Sequence, residues 1–358
     1  MTAANQTTAK RTVTIDGRQV TLSSPDKVMF PGSGLTKAGV IDYVTAIAAV
    51  ILPQLRNRPV TRIRFPDGFG GERFFEKNLP RYAPDWLRAF TIDASPGDPA
   101  SKDVRYPVID DLAGLVWMAN QAALELHTPQ WRIGPRGGVR RPDRLVIDLD
   151  PGEGTTLDDC AEVARLVADR LRAEGLVPVS SGGKGIHVYA ALDGQRTALA
   201  VHDWVKALGR VLETAHPDRI VTNVRKEHRG GRIFLDWSQN HPSRSTATPY
   251  TLRAKGPNPT VAAPRFWDEI APGIVQLGPD EVRRRLDEHG DIFALVATGA
   301  SPAERRKTDG YEDDFGERFD ARCEASRREA GRVRGCSCAD ARSWRGAGAD
   351  EGVLHLRQ

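Results

Sequence analysis

Hydrophobic positions change period several times along the chain, and each change predicts an element. Val13–Leu22 alternates around Asp16-Gly17, the pattern of a β-hairpin with a two-residue turn. From Thr36 to about Leu55 the apolar residues Val40, Tyr43, Ile47, Val50 and Ile51 fall at helical spacing. Two strands are expected next, Val60–Phe65 and Arg73–Asn78, separated by the glycine-rich Asp67-Gly68-Phe69-Gly70-Gly71. Asp93–Arg105 is rich in Pro, Ser and Asp and predicts a surface loop. Leu112–His127 returns to a helical period, and Gly134–Pro142 is a basic loop.

From Leu145 the pattern sharpens. Leu145–Asp150 predicts a strand, and Thr155 or Thr156 caps a helix with Leu157, Cys160, Val163, Val167 and Leu171 on one face, stopped by Gly175. Strand Leu176–Ser180, a glycine turn and strand Ile186–Ala190 follow. A second helix carries Val201, Trp204, Leu208, Val211 and Leu212, and a last strand lies in Ile220–Val224, Ile233–Trp237, or both. This β-α-β-β-α-β order predicts a ferredoxin-like or RNA-recognition-type sheet. After Pro264 one helical segment, Pro279–Glu288, precedes a collapse in apolar content. Residues 1–12 are expected to be a flexible N-terminus, 13–300 the folded domain (143–260 its sheet) and 301–358 a largely disordered tail.

Composition narrows the class. Hydrophobic residues make up 40% and charged residues 27% of 358, an ordinary soluble globular balance. No apolar run approaches the roughly 20 residues of a membrane span, and the first residues lack the apolar core of a secretory signal. A cytoplasmic protein with no membrane partner is expected. Four cysteines, Cys160, Cys323, Cys336 and Cys338, are too unevenly placed for a disulfide framework or a four-ligand zinc site. The net charge of +4 lies wholly in residues 1–300, because the tail is balanced, so an anionic partner should dock there. Of 51 basic residues 41 are Arg, which suits phosphate recognition and equally reflects a GC-rich genome.

Two segments carry candidate chemistry. In Asp148-Leu149-Asp150 both carboxylates leave one strand face while Leu145, Ile147 and Leu149 enter the core. Asp236, in Ile233-Phe234-Leu235-Asp236, ends another strand of the same sheet. Three carboxylates on neighbouring strands would suit two Mg²⁺ or Mn²⁺ ions and in-line phosphoryl transfer; a bare pair of this kind also occurs at solvated strand ends. Ser181-Gly182-Gly183-Lys184-Gly185 is either a plain hairpin turn or a phosphate cradle of backbone N–H groups with one lysine. His187 is as readily structural as ligand-binding. Of Phe74-Phe75, one ring should be core and the other free to stack on a base.

The runs LVIDLDPGEG (145–154), SSGGKGIHVY (180–189), FLDWSQN (234–240), FFEKN (74–78), ALELHTPQW (123–131), TPYTLRAK (248–255) and DKVMFPGSGLTK (26–37) resemble the polymerase domain of bacterial ligase D, of the archaeo-eukaryotic primase superfamily. The resemblance covers about residues 13–298. It implies an α+β fold, a primase-type catalytic core with a ferredoxin/RRM-like palm and an N-terminal α/β part, and a stand-alone polymerase, since only about 60 residues follow. It further implies template-directed nucleotidyl transfer at DNA ends or gaps, in non-homologous end joining or gap filling. Asp148, Asp150 and Asp236 would be catalytic metal ligands for Mn²⁺ or Mg²⁺. Ser181, Lys184, Arg229 and Arg253, supported by His127, would hold the NTP or dNTP triphosphate, with ribonucleotides preferred. Phe74 or Phe75 would stack on the template, and Lys27 and Lys37 would grip the 5′-phosphate of a gapped or recessed duplex. Implied partners are DNA ends, Ku and a separate DNA ligase, at the nucleoid. The family often has Asn where this chain has Ser24, and loop 134–142 is short for the family. The competing expectation is a non-catalytic DNA-end-binding scaffold that recruits Ku or a ligase; a third, a metal-dependent nuclease, does not explain the turn at 181–185.

Overall fold

The computed structural model describes residues 10–92, 103–172 and 175–297. The expected tail, Cys336 and Cys338, and most of the expected loop at 93–105 lie outside them. Two β-sheets meet across a shared hydrophobic core. The larger has the strand order Ile220–Val221, Ile233–Asp236, Arg144–Pro151, Ile186–Ala191, Leu176–Ser180, Ala263–Pro264. All neighbours are antiparallel except the first two, which run parallel. Strand Ile186–Ala191 therefore lies between the two strands that the Leu157–Leu171 helix connects, the split β-α-β arrangement. Both candidate last strands exist, side by side. Each helix starts where a threonine takes the orphan N–H groups of its first turn: Thr156 in a reciprocal capping box with Asp159, and Thr197 ahead of Ala198–Ala215.

The central strand Arg144–Pro151 is buried on both faces. Leu145, Ile147 and Leu149 join the two helices in one hydrophobic core, through Val163, Val167, Trp204 and Leu208. Val146, with Val177, Val179 and Tyr189, belongs to a second core shared with the N-terminal half. Asp148 and Asp150, which alternate with Leu149, thus leave the sheet on the side of the N-terminal half.

The smaller sheet has the order Thr246–Ala247, Ala123–Thr128, Thr61–Arg64, Phe74–Glu76. Its second strand corrects the expected helix Leu112–His127, which ends at Asn120. Ala122 takes φ +58°, turning the chain back on itself. The alternation Leu124-Glu125-Leu126-His127 then sets one face of a strand in the core. The helix expected over 36–55 is also two, Lys37–Ala46 and Ala48–Leu55, bent by 81°. Just before the break the Thr45 hydroxyl donates to the Ile41 carbonyl at 2.7 Å, a bond that bends helices. The first hairpin turns at Asp16-Gly17, both with positive φ, and begins at Lys10 rather than after residue 12. Among the described residues no single helix is long and apolar enough to cross a membrane.

Two buried arginines tie the sheets together. Arg144, at the start of the central strand, donates to Gln130, Gln54 and Thr128 at 2.8, 3.0 and 3.1 Å. Arg58 makes a two-pronged contact with Asp143, at 2.6 and 2.7 Å, and Arg132 adds a third bond at 2.5 Å. Burial alone would raise the Asp143 carboxyl, but Arg58, Arg132 and Arg144 together hold it below the usual carboxylate range.

Candidate active site

Antiparallel register puts Asp148 opposite both Asp236 and His187, and Asp150 opposite Phe234. Carboxylate oxygens of Asp148, Asp150 and Asp236 all lie within 4.8 Å of one another. Burial, then the charges of Asp150 and Asp236, raise the Asp148 carboxyl well above its ordinary value. Burial and Asp236 raise Asp150 as well. Three carboxylates this close repel one another, and a bound cation would relieve that repulsion. Asp148 Oδ1 is buried and accepts no hydrogen bond among the described residues, although His187 Nε2 lies 3.4 Å away. That open oxygen and an all-oxygen donor set fit a hard divalent ion. Asp236 is held from behind: Ser238 donates from its N–H at 2.9 Å and its hydroxyl at 2.6 Å, and Gln239 at 2.8 Å. Burial and the charges of Arg253 and His127 push His187 down to about 3, so the ring is neutral.

The glycine turn lies against the central strand. A Cβ on Gly185 would sit 2.1 Å from the Leu149 carbonyl oxygen, so only glycine brings the turn this close. The turn differs from the expected cradle in one respect. Its N–H groups at Gly183 and Gly185 both donate to Ser181 Oγ at 3.2 Å, and that of Gly182 donates to Gln276 at 2.7 Å. These amides are engaged in shaping the turn, so anion affinity there falls to side chains. Lys184 is exposed at its tip. Arg253 is buried beside it and donates to the Ser181 carbonyl at 2.5 Å. Arg229 stacks over the Phe234 ring at 3.5 Å, next to Asp150 in register.

Arg253 also meets the smaller sheet, where Glu125 and His127 share a face. Phe75 pairs with Ile63, which pairs with Glu125, so Phe75 is on that face too. Neither phenylalanine of the pair is core: Phe74 is 39% and Phe75 60% exposed. A three-residue strand at a sheet edge has no layer over either face there, which corrects the expectation of one buried ring. Further along, Lys27 and Lys37 flank the short hairpin Val28–Phe30 and Leu35–Thr36. Lys27 pairs with Asp67 at 2.8 Å, and buried Lys37 donates to the Ser23 carbonyl at 2.8 Å. Burial, then the charges of Lys27 and Arg64, lower the Lys37 amine, so three cations converge there. Ser24 takes φ +49°, a left-handed conformation that Asn adopts more readily than Ser.

The profile of the LigD primase-polymerase domain matches residues 36–293. The chain belongs to the LigD primase-polymerase domain family. It is 43% identical over 296 residues to the multifunctional non-homologous end joining DNA repair protein LigD of Mycobacterium tuberculosis, covering 80% of this chain and 38% of that protein. For LigD of Mycolicibacterium smegmatis the identity is 42% over 295 residues, again 38% of the relative's length. The chain therefore spans less than two-fifths of these relatives. Among solved structures, the polymerase domain of M. tuberculosis ligase D in complex with DNA aligns with a TM-score of 0.73 at 42% identity, over 78% of this chain and 99% of that one. The α+β fold of this family, with its split β-α-β palm, is what the sequence pattern predicts.

Glu125, Lys255, Arg64, Ser238 and Gln239 were not among the expected site residues. Glu125 and His127 were legible as an i, i+2 pair in ALELHT, had that run been read with a period of two. The others carry no local signal and become visible only through the fold.

Proposed function

We propose that this chain is a metal-dependent, template-directed nucleotidyltransferase that adds nucleotides to a 3′ terminus at DNA ends or gaps. The observation that supports it most is the close triad of Asp148, Asp150 and Asp236, in which buried Asp148 carries an unpartnered oxygen and the charges of Arg253 and Arg229 act on the carboxylates. The triad would hold Mg²⁺ or Mn²⁺. Bound there, such ions would lower the pKa of the attacking 3′-hydroxyl and neutralise the triphosphate as pyrophosphate leaves.

The chain's own residues do the positioning. Ser238 and Gln239 fix the Asp236 carboxylate, and neutral His187 stands against Asp148 without adding charge. Lys184, Arg229 and Arg253, with Ser181 shaping the turn and His127 behind it, would bind the triphosphate of an NTP or dNTP. Phe75, exposed on the face of Glu125, would stack on a template base, with Phe74 beside it on the opposite face. Lys27 and Lys37, joined by Arg64, would receive the 5′-phosphate of a gapped or recessed duplex. The relatives are named as end-joining repair proteins and the structural neighbour holds DNA, which supports a role in end joining or gap filling. Ku, a separate ligase and a place at the nucleoid complete this reading, with residues 13–300 as the polymerase unit.

The test is incubation of labelled primer–template with Mn²⁺ or Mg²⁺ and each nucleotide set. Template-dependent extension is expected. A band shift without extension would return the scaffold reading, and shortening of the primer would indicate a nuclease.

A further inference from the structure

Glu125 has no place in the scheme above, yet it lies at the centre of the cations. It is 0% exposed, on the smaller sheet, with its carboxylate turned toward the glycine turn's partners. Oε1 accepts from the Ala254 N–H at 3.1 Å and lies 3.2 Å from Lys255 Nζ. Oε2 accepts from Arg253 Nε at 3.2 Å and pairs with His127 Nε2 at 3.1 Å. Burial would raise this carboxyl, but the His127 bond, Arg253 and Lys255 hold it well below the usual range.

A fixed negative charge beside a triphosphate site opposes binding by simple Coulombic repulsion. Its position makes sense only if the order it imposes outweighs that repulsion. The geometry carries this argument. Arg253 is pinned at two of its three nitrogens, Nε on Glu125 and Nη1 on the Ser181 carbonyl. Nη2 makes no hydrogen bond among the described residues and lies along the glycine turn, 3.9 Å from where a Gly183 Cβ would be. The Lys255 stem passes the same point at 3.8 Å. An ionised carboxylate only accepts, so it also places the His127 proton on Nε2. Removing Glu125 would let two cations repel each other and swing into solvent.

We propose that Glu125 is a positioning residue of the triphosphate pocket, holding Arg253, Lys255 and His127 in a fixed array before the nucleotide arrives. This rests on the nucleotide-binding reading given under Proposed function. Pre-set donors bind a ligand without the cost of ordering them at that moment.

The test compares the parent protein with Glu125→Gln and Glu125→Asp, using inorganic tripolyphosphate and an NTP in calorimetric titrations at fixed free Mg²⁺, and steady-state extension. Glu125→Gln removes the opposing charge, and Glu125→Asp keeps it but draws the carboxylate back by one methylene. Both variants are expected to bind tripolyphosphate and NTP about 10- to 100-fold more weakly, the loss of one or two charge-assisted contacts. KM for nucleotide should rise by the same factor, with kcat at saturation nearly unchanged. Binding by Glu125→Gln as tight as the parent's, or tighter, would overturn the proposal, as would a fall in kcat at constant KM. If Glu125→Gln does not fold, unchanged binding by Glu125→Asp overturns it equally. A parent protein that binds neither tripolyphosphate nor NTP would instead overturn the nucleotide-pocket reading itself, before any variant is compared.

Discussion

Replacing Gly185 by alanine tests whether the close approach of the glycine turn to the aspartate strand matters to catalysis. The new Cβ would lie 2.1 Å from the Leu149 carbonyl oxygen and 3.5 Å from the Asp150 Cα. Both neighbours are backbone, so no side chain can swing aside. Turn and strand must part by about 1 Å, and a displacement of that size between reacting groups costs about 100-fold in rate. The same strain should cost about 1–3 kcal/mol of stability, the usual price of overpacking. Urea unfolding should show a lower midpoint at an unchanged slope, and primer extension should show kcat/KM down about 100-fold with DNA-end binding retained. Gly138→Ala, where a Cβ meets nothing within 4 Å, is the matched control and should stay within about 0.5 kcal/mol of the parent. A Gly185→Ala protein with parental stability and parental kcat/KM would refute the reasoning.

Asp148→Asn should abolish nucleotide addition and, at neutral pH without metal, raise the melting temperature. A carboxyl whose pKa is raised on folding costs stability above its unfolded pKa, and calorimetry would show this. Asp143→Asn should cost about 3–5 kcal/mol at neutral pH, because it leaves Arg58 buried without its counter-charge. Asp143 is depressed on folding, so its stabilisation is present above the unfolded carboxyl range and lost as pH falls toward the lowered folded value; the gap between parent and variant in denaturant melts should begin to narrow below about pH 4 and go on narrowing as the pH falls further. The Lys27→Ala/Lys37→Ala double variant should bind 5′-phosphorylated and 5′-hydroxyl gapped duplexes alike, where the parent prefers the phosphate, measured at matched salt. It should still extend an ordinary primer–template.

The palm was legible in the sequence because its strands and helices keep one period each and its caps are unambiguous. Leu145, Ile147 and Leu149 alternate against Asp148 and Asp150, and Thr156 with Asp159 announces the helix that follows. Register did the rest, since two antiparallel neighbours of one strand must bring Asp236 and His187 level with Asp148. The smaller sheet was harder. Leu112–His127 is apolar enough to satisfy a helical period throughout, and only the left-handed Ala122 separates helix from strand. That single misread run hid Glu125. The engaged Gly182 amide was invisible for another reason: Gln276, which takes it, is 94 residues away.

The central strand Arg144–Pro151 is packed on one face into the two-helix core and on the other into the core shared with the N-terminal half. A segment that belongs to both cores cannot open by a local fluctuation of either one. Its amides should therefore be among the slowest in the molecule to exchange with deuterium, at a free energy equal to that of global unfolding. Heat or denaturant would then remove Asp148 only when the whole domain melts, and loss of activity should track loss of structure along a single curve. The Asp236 carboxylate is different: its strand is paired on both sides, but the carboxylate itself is oriented by bonds from Ser238 and Gln239 in the short turn that follows. A local opening of that turn would release the Asp236 carboxylate without melting either strand.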